Sequence, residues 1–128
     1  MGKAANSSIS LKQIHVTDNF WNKYVHLVKD VIIPYQWDIL NDKLEDVETS
    51  HCIENFKIAA GEKEGEFQGA VFQDTDVAKW LEAVGFVLNY ERDEKLEELA
   101  DETIELIGRA QQPDGYLNTY FTIKEPDG

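Results

Sequence analysis

Two carboxylates, Asp74 and Asp76, lie two residues apart at a predicted helix start, directly after Gln73. Neighbouring carboxylates can donate and accept protons, as the paired carboxylates of glycoside hydrolysis do. A helix start also favours acidic side chains, because they accept hydrogen bonds from free N–H groups and interact with the helix dipole, at about 0.3–1 kcal/mol each. The spacing alone favours capping, although a cap at the mouth of a cavity can also face a ligand.

A second polar cluster contains Gln111, Gln112, Asp114, Gly115 and Tyr116. Proline followed by Asp-Gly predicts a turn, because proline fixes φ and glycine permits the positive φ that comes next. The glutamine amide can bond to the loop backbone while the aromatic ring packs over the helix end. A similar corner marks the repeats of triterpene cyclases, with which the match is partial because those motifs end in tryptophan.

The elements that must position these clusters are predicted to be helices, because apolar residues recur at helical spacing along most of the chain. Pro34 interrupts the first stripe and predicts a bend there. The predicted helices are residues 18–33, 35–45 and about 50–60, then one capped by Asp74 or Thr75 and one capped by Asp93. Helices joined by a short link run antiparallel. The predicted fold class is therefore all-α, built from antiparallel helical hairpins.

The N-terminal end is the exception to this helical pattern. Residues 1–7 are small and polar, which predicts a disordered terminus. Residues 9–16 are β-prone and predict a short strand, whose pairing partner the pattern does not identify. The three tryptophans, Trp21, Trp37 and Trp80, are predicted to lie in the core, with a role as sugar-binding platforms as the alternative.

Composition excludes several classes of function. The 128 residues include 25 acidic and 12 basic side chains, giving a net charge of −13 that argues against nucleic-acid and anionic-membrane partners. No apolar run reaches membrane-spanning length, and the simplest expected location is the cytoplasm. The single cysteine, Cys52, excludes an intrachain disulfide and a cysteine-based zinc site, and we expect it to be buried.

Four phrases of the sequence resemble glycoside hydrolase family 127, the β-L-arabinofuranosidase family. They are VIIPYQW at 31–37, Ser50-His51 together with KIAAG at 57–61, FQDTDVAKWLE at 72–82, and IGRAQQPDGYLNT at 107–119. The last two phrases are specific, and the resemblance runs from about residue 8 to the end of the chain.

This resemblance implies the first part of an (α/α)₆ barrel, over residues 8–128, in an enzyme that removes terminal β-L-arabinofuranosyl groups with retention. It also implies a cysteine nucleophile, a glutamate acid/base and a zinc ion held by cysteines and a glutamate. Those residues are expected downstream of this region, and Cys52 matches none of them. We therefore expect no catalytic residue, metal ligand or cofactor within this chain.

The sequence thus predicts a fragment of a glycoside hydrolase that supplies barrel scaffold and is inactive alone. The expected substrate-binding residues are Gln73, Asp74, Asp76, Asp114 and Tyr116. The alternative is a non-catalytic helical module for self-association or partner binding. Because a partial barrel leaves apolar faces without a neighbour, we also predict a homo-oligomer.

Overall fold

The computed structural model describes residues 8–126, in which helices follow one another with links that range from residues 91–93 to the much longer loop at residues 60–73. A 3₁₀ turn at Leu11–Gln13 precedes all of them. The helices are α1 (Asn19–Leu27), α2 (Ile33–Leu40), α3 (Cys52–Ala59), α4 (Asp74–Tyr90), α5 (Glu94–Ala110) and α6 (Thr119–Lys124). No strand occurs between residues 8 and 126, so the all-α fold class is confirmed. The predicted disordered terminus, residues 1–7, lies outside the described residues.

The helix is not interrupted at Pro34, whereas the sequence predicts two helical segments, 18–33 and 35–45, joined by a bend. A π-helical segment, Val28–Ile32, joins α1 to α2 in one continuous run, and Pro34 occupies the first turn of α2. A π turn widens the backbone ladder, which accommodates a proline that cannot donate an N–H. The run ends at Leu40 rather than at residue 45, because Asp42 adopts a left-handed conformation with φ 55°.

The α4–α5 pair is an antiparallel hairpin, as the short link predicts. The Asp93 carboxylate accepts a hydrogen bond from the Leu96 N–H at 3.1 Å, so the predicted cap of α5 is confirmed. The predicted cap of α4 is wrong, because α4 begins at Asp74 itself and Gln73 precedes it without a side-chain cap. The Thr75 hydroxyl instead donates to the Phe72 carbonyl at 2.9 Å.

The core lies where α2, α3 and α5 meet α4. Its buried apolar residues are Ile33, Leu40, Cys52, Ile53, Phe56, Val77, Trp80, Val84, Val87, Ala100, Leu106 and Ala110. Trp80 is only 2% exposed, its ring lies 4.5 Å from that of Trp37, and its indole N–H donates to the Ile33 carbonyl at 3.1 Å. The core prediction therefore holds for Trp80 and for the half-buried Trp37.

Helix α1 differs, because none of its residues is buried. Trp21 is 61% exposed and lies in an aromatic cluster with Phe20 and Tyr24, so its prediction as a core residue is wrong. Among the described residues, no helix combines the length and apolar character needed to cross a membrane.

The N-terminal segment packs on α4 without forming a strand, so the strand predicted at residues 9–16 is wrong. The Ser10 hydroxyl accepts from the Lys12 N–H at 3.4 Å at the start of the 3₁₀ turn, and the Tyr90 hydroxyl donates to the Val16 carbonyl at 3.4 Å. With no strand among residues 8–126 to pair with, the segment bonds locally and to one side chain.

Candidate functional site

A polar cleft of about 930 Å³ opens between α2, the loop before α3, the loop before α4, and the first turns of α4. Its lining mixes amide, hydroxyl and charged groups with apolar side chains. The lining residues are Gln36, Ile39, Leu40, Glu48, Thr49, Ser50, Gly69, Ala70, Gln73, Asp76, Lys79, Trp80 and Ala83. A concave surface with a few polar groups on an apolar floor is typical of small-molecule sites.

Hydrogen bonds to Ala70 and Cys52 help to hold Gln73 in place at this cleft. Its side-chain oxygen accepts a hydrogen bond from the Ala70 N–H at 3.1 Å, and its backbone carbonyl accepts one from the Cys52 thiol at 3.0 Å. Gly69 turns the chain with φ 97°, and a Cβ there would come within 2.9 Å of the Gln73 side-chain oxygen. With that oxygen engaged, the amide nitrogen of Gln73 remains available as a donor to a ligand.

Asp76 lies one turn further along α4 on the same cleft. Its carboxylate contacts the Lys79 ammonium at 3.4 Å, and both side chains are exposed to solvent. An exposed pair of this kind contributes little to stability. The Asp76 carboxylate can therefore accept hydrogen bonds from sugar hydroxyls without breaking a buried interaction.

Asp74 does not line this cleft, and each of its two carboxylate oxygens accepts a hydrogen bond from Thr119. One accepts from the Thr119 N–H at 2.7 Å and the other from the Thr119 hydroxyl at 2.5 Å. Thr119 is fully buried, so the Asp74 carboxylate ties the start of α4 to the start of α6. Asp74 and Thr119 are 45 residues apart in the sequence.

Asp114 and Tyr116 lie in a separate pocket of about 600 Å³ beside α6. The Asp114 carboxylate accepts from the Tyr116 N–H at 2.9 Å, and Gly115 has φ 92°, which confirms the predicted turn. The Gln111 amide donates to the Gly115 carbonyl at 2.7 Å, so the predicted bond from glutamine to loop backbone is present. Of the five predicted site residues, Gln73 and Asp76 line the cleft, and Asp114 and Tyr116 line the second pocket. Asp74 instead bonds to Thr119.

The loop on the opposite side of the cleft is held by Asp42, which sequence reasoning missed. The Asp42 carboxylate accepts from the backbone N–H groups of Ser50 at 2.6 Å and His51 at 3.0 Å.

Asn55 was missed as well, and it bonds to the loop before α4. Its one sequence signal is its position between the apolar residues Ile53 and Phe56 on α3.

The residues present do not fit the zinc ion that the resemblance implies. Residues 8–126 contain no group of three His, Cys, Asp or Glu side chains that could hold a metal ion. Cys52 is buried, as predicted, and burial raises the pKa of its thiol to about 12. Because Cys52 is the only cysteine of the sequence, no cysteine-based zinc site can be assembled from its residues.

The chain belongs to the family of β-L-arabinofuranosidase GH127 catalytic domains. The model of that family matches residues 13–128, which is most of the chain.

A curated relative, the non-reducing end β-L-arabinofuranosidase of Bifidobacterium longum, is 42% identical over 87% of this chain and 19% of its own length. The crystal structure of a GH127 β-L-arabinofuranosidase from Geobacillus stearothermophilus T6 is 64% identical, with a TM-score of 0.87, over 88% of this chain and 18% of that one. A second GH127 β-arabinofuranosidase structure is 31% identical with a TM-score of 0.77, over 89% and 17%. The chain thus spans less than a fifth of the length of these relatives.

Proposed function

We propose that this chain forms the first part of the catalytic domain of a β-L-arabinofuranosidase and supplies one wall of its sugar-binding site. The observation that carries the proposal is the 64% identity and TM-score of 0.87 to a GH127 β-L-arabinofuranosidase. Identity at that level over most of the chain supports a shared substrate class for the whole protein. The proposed ligand is a terminal β-L-arabinofuranosyl group.

The polar cleft is the proposed place of contact. Sugars are recognised by amide and carboxylate groups that exchange hydrogen bonds with their hydroxyls, together with apolar surface beneath the ring. Gln73 offers a free amide N–H₂ and Asp76 an exposed carboxylate, about one helical turn apart on the same wall. We propose these two residues as the sugar-contacting pair.

We expect that the chain alone does not hydrolyse arabinofuranosides. Asp74, the nearest carboxylate to Asp76 in sequence, is committed to Thr119, and the thiol of Cys52 is both buried and protonated. A catalytic nucleophile must be activated and accessible. We expect no turnover above buffer with a chromogenic β-L-arabinofuranoside, and turnover that disappears in Cys52→Ser would contradict this.

Sugar contact is tested by adding methyl β-L-arabinofuranoside to the isotope-labelled chain and following backbone amide shifts. We expect shifts at Gly69, Ala70, Gln73 and Asp76, smaller shifts with the α anomer, and weaker binding in Gln73→Ala. Absence of any shift at these four residues would refute the proposal. Shifts at Asp114 and Tyr116 would show whether the second pocket also contacts sugar.

A second candidate function is self-association, which the exposed face of α1 favours. An apolar groove of about 590 Å³ runs between the N-terminal segment, α1 and α4, lined by Trp21, Tyr24, Val28 and Phe86 among others. Exposed apolar patches of this kind commonly mark protein contacts. We propose a second copy of this chain as the partner.

A further inference from the structure

The loop that forms one wall of the cleft has no regular structure of its own. Residues 64–70 form neither helix nor strand, and a turn at residues 71–73 leads into α4. Gly69, Ala70 and Gln73 of this loop line the cleft. Such a loop can present a wall of fixed shape only if other elements hold its backbone.

Asn55 of α3 holds the middle of the loop. It is 1% exposed, and its side-chain amide donates to the Gln68 carbonyl at 2.8 Å and accepts from the Gln68 N–H at 3.1 Å. One side chain therefore satisfies both backbone groups of a loop residue, as a neighbouring strand would. Asn55 does not line the cleft, although Gly69 and Ala70 follow directly after the residue it holds.

Two further contacts hold the loop on either side of Gln68. The buried ring of Phe67 packs edge-on against Tyr120 with ring centres 5.1 Å apart. On the other side of Gln68, the thiol of Cys52 donates to the Gln73 carbonyl at 3.0 Å. Cys52 and Asn55 lie three residues apart on α3, so one face of this helix holds both the middle and the end of the loop.

We propose that Asn55 is a positioning residue for the sugar-binding wall, acting through Gln68 on the loop that carries Gly69, Ala70 and Gln73. The inference rests on the proposed function, because it assigns a structural cause to the shape of the same cleft. Holding the loop in its bound shape before the sugar arrives removes the ordering cost from binding. Loss of Asn55 therefore weakens sugar binding and loosens the loop, including the bond between the Ala70 N–H and Gln73.

Amide hydrogen exchange in the Asn55→Ala variant tests the loosening. Ala70 is the reporter, because its N–H bonds to Gln73 and not to the altered side chain. We expect its exchange to accelerate about tenfold relative to amides of α5, since local opening sets the exchange rate. The matched control is Thr103→Ala, because Thr103 is also buried, at 3% exposure, and bonds within α5 to the Leu99 carbonyl at 2.7 Å. Thr103→Ala should leave Ala70 exchange unchanged relative to the rest of the chain.

Sugar affinity gives the second readout. We expect the Kd for methyl β-L-arabinofuranoside to rise about tenfold in Asn55→Ala and less than about twofold in Thr103→Ala. If Asn55→Ala does not fold, Cys52→Ala removes the other polar bond from the same helix face to the loop and should accelerate Ala70 exchange in the same way. Unchanged Ala70 exchange in the folded variant, or an equal change in the Thr103→Ala control, overturns the proposal. A wild-type chain that binds no sugar refutes the proposed function instead, while Ala70 exchange still decides whether Asn55 holds the loop.

Discussion

Helices α1 and α4 both carry tryptophan and other apolar side chains at helical spacing, and the structure treats them in opposite ways. Helix α4 buries Val77, Trp80, Val84 and Val87, whereas α1 buries none of its residues. The difference comes from neighbours, because α2, α3 and α5 all pack on α4, while the main contacts of α1 are with the π-helical segment that continues the same run. Apolar spacing therefore identifies a face that needs covering, and only the assembled fold shows whether something covers it.

The largest predicted effect is on the stability of the covered side of this comparison. Trp80→Ala should lower the free energy of unfolding by about 3–5 kcal/mol, since it leaves a large cavity and frees the Ile33 carbonyl. Trp21→Ala, at a residue 61% exposed, should lower it by less than about 1 kcal/mol. Urea denaturation of the two variants measures both values. At a concentration where the chain is a monomer, equal losses would show that the face of α1 is covered within the chain and would erase the contrast between the two helices.

A second stability effect separates the two carboxylates at the start of α4. Asp74→Ala should lower the free energy of unfolding by about 2–3 kcal/mol, because it leaves the buried N–H and hydroxyl of Thr119 without an acceptor. Asp76→Ala removes only an exposed contact with Lys79 and should change it by less than about 0.5 kcal/mol. Thermal unfolding of the pair is the measurement. A greater loss in Asp76→Ala would reverse the roles assigned here.

Alkaline pH should lower the free energy of unfolding through the ionisation of the buried Cys52 thiol. Burial raises the pKa of this thiol from 9.0 to about 12, so between those values the unfolded chain releases a proton that the folded chain retains. The contribution of the protonated thiol is fully present below pH 9 and falls by about 1.4 kcal/mol for each pH unit above it. Cys52→Ala should show a shallower loss of stability from pH 9 to 12. The pKa values of Lys29 and Tyr120 are raised by Glu91 and Glu125 respectively, and because both groups remain in the variant their effects cancel in the difference. Parallel stability curves for the two proteins would contradict the burial of the thiol.

A further effect, smaller than the losses predicted for Trp80→Ala and Asp74→Ala, concerns the uncovered face of α1. If a second copy of the chain covers α1, Trp21→Ala should weaken the homo-oligomer about tenfold, which corresponds to about 1.4 kcal/mol. Tyr116→Ala removes an exposed aromatic ring from the other pocket and should leave association unchanged. Light scattering after size exclusion reports the mass. A clean monomer of the wild-type chain at micromolar concentration would refute self-association.

Local signals in the sequence predict much of this fold. Asp93 caps α5 as predicted, because a helix cap depends only on residues next to it in the sequence. The turn at Gly115 is likewise set by neighbouring residues. The interruption of the helix predicted at Pro34 does not occur, because the run continues through a π-helical segment, which propensity does not distinguish from a break.

The candidate site was less predictable because its key bonds join distant parts of the chain. Asp74 has the sequence context of a helix cap, but its partner Thr119 is 45 residues away. Asn55 has the context of a polar residue on an apolar helix face, and nothing local identifies Gln68 as its partner. Sequence reasoning therefore found the cleft-lining residues Gln73 and Asp76 and missed the side chains that hold the loops around them.

The most direct test of the sugar-binding wall uses a full-length GH127 relative chosen for an aspartate at the position of Asp76, and changes that residue to Asn. Because the Asp76 side chain is exposed and lines the cleft, the change should affect ligand contact far more than folding. We expect kcat/KM for a chromogenic β-L-arabinofuranoside to fall at least about tenfold, a loss of about 1.4 kcal/mol of transition-state stabilisation. The melting temperature should stay within about 2 °C of the wild-type value. A fall in melting temperature with unchanged kcat/KM would contradict the account and would leave Asp76 with a structural role alone.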